Sequence, residues 1–483
     1  MKYDIIIIGG GLGGLTAGAK LAKEGKSVLL IEQHSKPGGC ATTFRRQGFT
    51  LEVGLHEMDG PSPRDMKSRI FSELDVTGNV ELIKVPEFYH FVNDRIKITI
   101  PHDHTSASAV LKERFPEDAA GIDAYFNQIL NPKRKTAAEE MPNDQSVGEF
   151  LDSIINNEDL KLVLLGNLGY FHDDPYSISL AYYSMAQGSY YNGGASYIKG
   201  GSQKLSDHLA EFIRSNGGEI ILNHLVTGFF TENDKLAGVT YRYVKDNSDI
   251  QKAFAQEIIA NASLPSIADM MPGDIAGKLK NEIIARKKGA SLLSLYLGFR
   301  HNLRTIGHNY YSTFFFDNSI KTQADIFNNN NGDFRTRSFT FVDYGQVDSG
   351  LAPAGKSVGA VCCTDYCSGW ETLSITEYMA RKKEVADILI RRLEKFIPGI
   401  TDEIEYFEIG TPLTIRRYTL NPEGAVYGFA RIPGNVPVDS AIMPDNLHVA
   451  SAWGKTGGGF SGAIYGGYLC ALNILRRKNQ VNK

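Results

Sequence analysis

Gly9-x-Gly11-x-x-Gly14 is the first grouping in this sequence whose residue types and spacing can do chemistry. Gly9 permits a tight turn, Gly11 lets the backbone approach a pyrophosphate, and Gly14 lets a helix pack closely on a strand. Leu12 and Gly13 complete the turn, and a helix that starts there offers free N–H groups and a partial positive charge to phosphates. Glu32, followed by Gln33, stands where the next strand ends, a place from which an acid can hydrogen-bond a ribose. That chemistry requires a strand before the turn and a helix after it. Hydrophobic patterning predicts both: a strand over 4–8, a helix over 15–25 with small residues on one side, and a second strand over 27–31. The unit reads as βαβ and as a dinucleotide site. A second glycine turn, Gly457 to Gly459, follows Trp453 and precedes Phe460, between a predicted strand (447–450) and a predicted helix (461–477).

The same style of element recurs in mid-chain. A helix is expected over 205–216, then Gly217-Gly218, a strand over 219–223, a β-meander over 226–231 and 236–243, and a strand over 256–260. Two less regular blocks, 96–198 and 276–410, separate these pieces. The first holds exposed-looking aromatics: Tyr170, Phe171, Tyr176, Tyr182, Tyr183, Tyr190, Tyr191 and Tyr197. Asn328 to Asn331 reads as a loop. The fold class is therefore α/β: a discontinuous dinucleotide-binding Rossmann domain (1–95, 199–275 and 411–483) with an inserted α+β substrate domain (96–198 and 276–410). A chain of 483 residues is long enough for two such units.

Composition narrows the partners. With 42% hydrophobic and 22% charged residues the chain is ordinarily globular, and its net charge of −4 argues against nucleic acid. Five cysteines fit neither a disulfide framework nor a metal site; Cys362, Cys363 and Cys367 read as a strand and its exit. No secretory signal and no spanning apolar run is expected, which makes the cytoplasm the default.

Three elements favour FAD over NAD. Pro37-Gly38-Gly39 resembles the second flavin-contacting loop of the glutathione-reductase class. Val226 matches the strand that supplies a backbone contact to the adenine in that class. The turn at Trp453, Gly458, Gly459 and Phe460 can aim N–H groups at the flavin pyrimidine edge, which is anionic when reduced. Cys40, in the loop of Gly38 and Gly39, is expected as a small buried residue, with a flavin thioether as the alternative. No second strand–GxGxxG–helix is visible, so no dedicated NAD(P)H domain is expected and the external electron acceptor or donor stays open: oxygen, a quinone or a diffusible reductant.

Over nearly its whole length the sequence resembles the phytoene desaturase, carotenoid cis–trans isomerase and retinol saturase family. The segments that carry the likeness are IIIIGGGLGGLTAGAKLAKEGKSVLLIEQHSKPGGCATTF, YIKGGSQKLSDHLAEFIRSNGGEIILNHLV, GTPLTIRRYTLNPEGAVYGF and ASAWGKTGGGFSGAIYGG. The third is the most specific and is closest to the isomerase and saturase branches. Gly54-Leu55-His56 is similar to the Gly-x-His of retinol saturases. The resemblance implies an FAD-dependent oxidoreductase acting on carbon–carbon double bonds by desaturation, saturation or isomerisation. It implies an apolar tunnel past the flavin, a long polyene such as a carotenoid or retinoid as substrate, and peripheral association with a membrane surface. It also places His56 and Glu57 near the flavin, where an apolar wall would keep either as a neutral acid. Arg416 or Arg417 is expected to offset reduced-flavin charge or hold a polar substrate end, and Tyr427 to stack beside flavin or substrate. The alternatives are a flavin amine oxidase-like enzyme and a non-catalytic flavin-dependent lipid-binding protein.

Overall fold

The computed structural model describes residues 2–63, 65–131, 145–232, 235–246, 248–434, 438 and 440–481. The isoleucine run forms the strand Lys2–Ile8, buried from Ile5 onward because it is covered on both faces. It pairs in parallel with Val28–Ile31 on one side and Ile250–Ala260 on the other. Glu219–Ile221 and Leu447–Val449 extend the sheet in parallel, and an antiparallel meander of His224–Glu232 and Lys235–Tyr243 completes its seven strands. The strand expected over 256–260 starts earlier, at Ile250: its first half pairs with the meander and its end with Leu447–Val449.

The helix Leu12–Lys23 lies between this sheet and the C-terminal helix Gly459–Val481. Close approach requires glycine here. A Cβ on Gly14 would fall 2.3 Å from the Gly9 carbonyl oxygen, and one on Gly467 2.1 Å from that of Gly13.

The two blocks expected to be less regular hold a second seven-stranded sheet. Its order is Ile404–Gly410, Ser291–Phe299, Ser357–Asp365, Phe339–Asp343, Ser312–Phe315, Tyr89–Val92 and Lys97–Ile100. A division at residue 95 therefore cuts through the hairpin Tyr89–Val92/Lys97–Ile100, both strands of which belong to this second sheet. The sheet escaped a sequence reading because most of its strands are buried on both faces and so show no clean alternation of apolar and polar residues. Leu293, Leu295 and Leu297 pack beneath the helix Ile375–Phe396, which buries Val385, Ala386, Leu389 and Leu393 at helical spacing. Leu292, Ser294, Thr340, Cys362 and Thr364 line a cavity on the other side. Asn328 to Asn330 belong to the helix Asp325–Asn330 rather than to a loop; Asn329 and Asn330 are buried, their amides donating to the Thr336 and Asp173 carbonyls.

Most of the aromatic block is interior. Tyr183, Tyr190, Tyr191 and Tyr197 are buried, and Tyr183 donates to the Leu164 carbonyl while exchanging a 3.1 Å bond with Tyr125. Only Tyr176 is exposed, at 38%. The exposed look of this block is corrected accordingly: Tyr183, Tyr191 and Tyr197 are packed in the interior, while Tyr170, Phe171, Tyr182 and Tyr190 line a cavity. Among the described residues no helix is long and apolar enough to cross a membrane.

Candidate active site and flavin cradle

The glycine turn has the geometry that a dinucleotide needs. Gly9 sits at φ +94°, and Asn261 donates 3.0 Å to its carbonyl. Gly11 caps the following helix without any side-chain hydrogen bond, leaving the first-turn N–H groups, those of Leu12 and Gly13 among them, directed at whatever binds there. Gly38 donates 2.7 Å to the Gly10 carbonyl and sits at φ +133°, and a Cβ on Gly39 would fall 3.2 Å from the Gly11 Cα. The two glycine loops thus form one shallow cradle. Glu32 is 5% exposed and accepts from Gly10 N at 2.6 Å and His34 N at 2.9 Å. Each oxygen keeps a lone pair for a ribose hydroxyl. Gln33 turns away and donates to the Tyr418 carbonyl. Val226 is buried in its strand, just after His224 N donates to the Glu32 carbonyl.

At the far end of the cradle opens a cavity of about 270 Å³. Gly458, Gly459 and Phe460 line it at the start of the C-terminal helix, together with Gly54, His56, Glu57 and Tyr427. Tyr427 is held against the glycine turn so closely that a Cβ on Gly458 would lie 2.8 Å from its Cα. Trp453 differs from expectation: its indole faces away, edge-on to Phe429 and donating 3.2 Å to Asn421 Oδ1, so the residue buttresses the turn from behind. Cys40, expected to be buried, is instead exposed, although the surrounding protein pushes its thiol pKa up.

Residues 52–57 carry the ionisable groups, and the fold fastens them from several sides. Glu52 is buried and accepts from Ser202 N and Oγ, Gly54 N, Leu55 N and the Tyr197 hydroxyl. Tyr344 donates to the Leu55 carbonyl at 2.9 Å and Tyr311 to that of His56 at 2.5 Å. The anchors from Tyr197, Ser202, Tyr311 and Tyr344 had no sequence signal, since each lies more than a hundred positions away in the chain. His56 Nδ1 lies 3.1 Å from the Tyr170 hydroxyl, and burial lowers its pKa to about 4, so it is neutral at pH 7. Glu57 is enclosed, neither carboxyl oxygen is hydrogen-bonded among the described residues, and burial first, then the charge of Glu87, raises its pKa well above the usual range. A carboxyl so placed keeps its proton, because ionisation would leave a charge without solvent or donor.

Asp59 closes this wall. Burial pushes its pKa up, but the Lys67 ammonium at 2.9 Å and the Ser461 hydroxyl hold it below the ordinary value, tying the C-terminal helix to the loop. Arg416 does not join the site. It is exposed and paired at 2.9 Å with the equally exposed Glu371, because its helix Pro412–Thr419 turns that face outward; Arg417 is exposed as well. The buried guanidinium near the glycine turn is instead Arg431, which donates to the Gly454 carbonyl at 2.5 Å.

Residues 12–475 match the profile of the family described as flavin containing amine oxidoreductase. The chain belongs to this family. It is an FAD-dependent oxidoreductase. Its sequence is similar to a prolycopene isomerase of Arabidopsis thaliana, 26% identical over 99% of this chain and 84% of the relative. It is also similar to an all-trans-retinol 13,14-reductase of Danio rerio, 24% identical over 98% of this chain and 86% of that one. A solved putrescine oxidase shares the fold with a TM-score of 0.66, at 16% identity and 99% coverage of both chains.

Proposed function

We propose that this flavoenzyme transfers hydride to or from a carbon–carbon double bond of a long apolar polyene, and that Glu57 exchanges the accompanying proton. The observation that supports it is the unpartnered carboxyl of Glu57 on the wall of an otherwise largely apolar cavity, beside the glycine turn. Bound FAD supplies hydride chemistry at N5. The chain does the rest. Phe171, Leu292, Phe314 and Phe316 offer an apolar channel that excludes water, and Tyr170 fixes the neutral His56 ring beside Glu57. A proton donor whose pKa burial raises suits saturation of an alkene, where the carbon next to the hydride acceptor needs a proton. The retinol reductase relative carries out a reaction whose name describes that change. Isomerisation, named in the other relative, uses the same cavity without net proton uptake. Met185, 61% exposed and also lining the cavity, marks an apolar mouth through which a lipid can enter from a membrane surface.

The test is to incubate oxidised and chemically reduced holoprotein anaerobically with a panel of polyenes and read the products by mass and absorbance. Gain of two hydrogens from the reduced form is the expected result. Products of unchanged mass and altered geometry would replace saturation by isomerisation. Peroxide formation with amines and silence with every polyene would overturn the proposal in favour of an amine oxidase.

A further inference from the structure

Beside the main cavity lies a second void of about 20 Å³, lined by His172 and Arg431 and separated from the main one by Phe171, Tyr182, Thr364 and Tyr427, which face both. Two of its lining side chains carry a buried polar atom without a hydrogen-bond partner among the described residues: His172 Nε2 and Arg431 Nε. His172 is only 7% exposed, and its orientation is fixed. Nδ1 lies 2.9 Å from Asp173 Oδ1, and Asp173 Oδ2 accepts from the Tyr366 hydroxyl at 2.5 Å. Burial raises the Asp173 pKa, but the His172 contact outweighs it and holds the carboxyl at about 2, so a full charge sits behind the imidazole.

Arg431 is fixed as firmly. Its terminal nitrogens donate to the carbonyls of Gly454, Ala452 and Lys455, and Tyr182 lies 5.8 Å from its guanidinium. A Cβ on Gly457 would meet the Tyr182 hydroxyl at 3.2 Å and Arg431 Nε at 3.3 Å, which places the void against the glycine turn. No carboxylate among the described residues pairs with this cation. Leaving a buried polar group unsatisfied costs about 1–3 kcal/mol. Both side chains line the one void, which exceeds the roughly 10–15 Å³ needed for one water-sized group and so has room for a single oxygen.

We propose that this void is the subsite for a terminal oxygen of the substrate, so that the polyene is an oxygen-ended one (alcohol, carbonyl or carboxylate) and not a plain hydrocarbon. This rests on the polyene reading above. Arg431 Nε donates to the oxygen, and His172 Nε2 donates to it or accepts from its hydroxyl.

Titration of the FAD-loaded holoprotein with a matched set of polyenes (hydrocarbon, primary alcohol and carboxylic acid), read by perturbation of flavin absorbance, tests it. Alcohol or acid is expected to bind at least about tenfold more tightly than the hydrocarbon. Acid ahead of alcohol identifies an anionic end, and alcohol ahead of acid a hydroxyl. His172→Leu should erase the preference with FAD content and hydrocarbon affinity unchanged, while His172→Gln keeps part of it. Arg431→Lys, which retains the charge and loses the Nε donor, is the second arm. Equal binding of all three, or a preference that survives His172→Leu with FAD bound, means that the void holds an ordered water only and overturns the subsite. Silence of every polyene overturns the polyene reading itself.

Discussion

Glu52 and Glu57 sit on one short stretch of chain and are both enclosed, yet they are opposite kinds of carboxyl. Glu52 gathers backbone and side-chain donors from Gly54, Leu55, Tyr197 and Ser202. Glu57 has no hydrogen-bond partner on either oxygen among the described residues. The same contrast separates the two ends of the cofactor site. At the nucleotide end, Glu32 is held by two backbone N–H groups and the glycine loops are locked to each other, so the region is pre-organised around hydrogen bonds. At the cavity end, polar groups are left unsatisfied, a cost that the fold retains only where something else uses them. Satisfied carboxyls such as Glu52 and Glu32 hold this fold together, and the unsatisfied Glu57 is the carboxyl to which the proposed function gives the chemistry.

The sharpest way to break that contrast is Glu57→Gln. The amide has the same shape and also no charge, so FAD content and fold should be kept while turnover on a reducible polyene falls about 10²–10⁴-fold, the usual value of a positioned acid. Single-turnover reoxidation of reduced enzyme measures it; wild-type rates would remove Glu57 from the mechanism. Gly14→Ala should cost roughly 1–3 kcal/mol through the clash with the Gly9 carbonyl and empty the flavin site. A yellow variant with unchanged melting temperature would contradict the close packing described here. Glu52→Gln turns an acceptor into a donor facing Ser202 N, with an expected loss of about 1–3 kcal/mol in denaturant unfolding and misplacement of His56. If Glu52 tolerates the change as well as Glu57 does, the distinction between the two fails.

The pH dependence of stability should separate two kinds of buried group. His56, His90, His102 and His308 are each lowered to about 4 by burial. Unfolded histidines bind protons below about 6.5, so the stability contributed by these neutral rings is present above that pH and lost as pH falls toward 4. Glu57 has the opposite sign. Its pKa is raised in the folded protein, so its contribution is complete below about 4.3 and lost as pH rises through the folded value. Urea unfolding of wild type and Glu57→Gln between pH 4 and 8 should therefore show the variant gaining on wild type as pH rises; a constant difference would mean that Glu57 titrates normally. The smallest effect is expected at Arg416→Ala. An exposed ion pair with Glu371 is worth at most about 1 kcal/mol, and turnover and FAD content should not move.

Much of the nucleotide end was legible beforehand because its requirements are local. Gly9, Gly11 and Gly14 act through their own backbone, Glu32 ends the strand next door, and the isoleucine run announces a strand buried on both faces. The strands and helices expected around them were found with ends shifted by a few residues. Even the place of Tyr427 and of Gly458 to Phe460 on the cavity wall followed from their segments. Arg416 was misplaced because a helix decides which of its faces looks inward, and a sequence of eight residues with adjacent arginines does not. The aromatic block was misjudged because tyrosines suit both a surface and a hydrogen-bonded core.

By itself, then, the sequence determined the βαβ unit, the order of the glycine turns and the family to which they belong, since backbone conformation and strand burial are written in neighbouring residues. Only the tertiary structure decided which ionisable groups meet. Among the described residues, Glu52 is satisfied by Ser202, His56 is held by Tyr170 and Tyr311, Arg431 is tied to the Gly454 carbonyl while Arg416 faces outward, and neither oxygen of Glu57 has a hydrogen-bond partner. The physical reason is that solvation of a side chain is set by what packs over it. Here the covering atoms come from strands and helices far away in the chain, so no local pattern records whether a carboxyl will be bonded, paired or kept protonated.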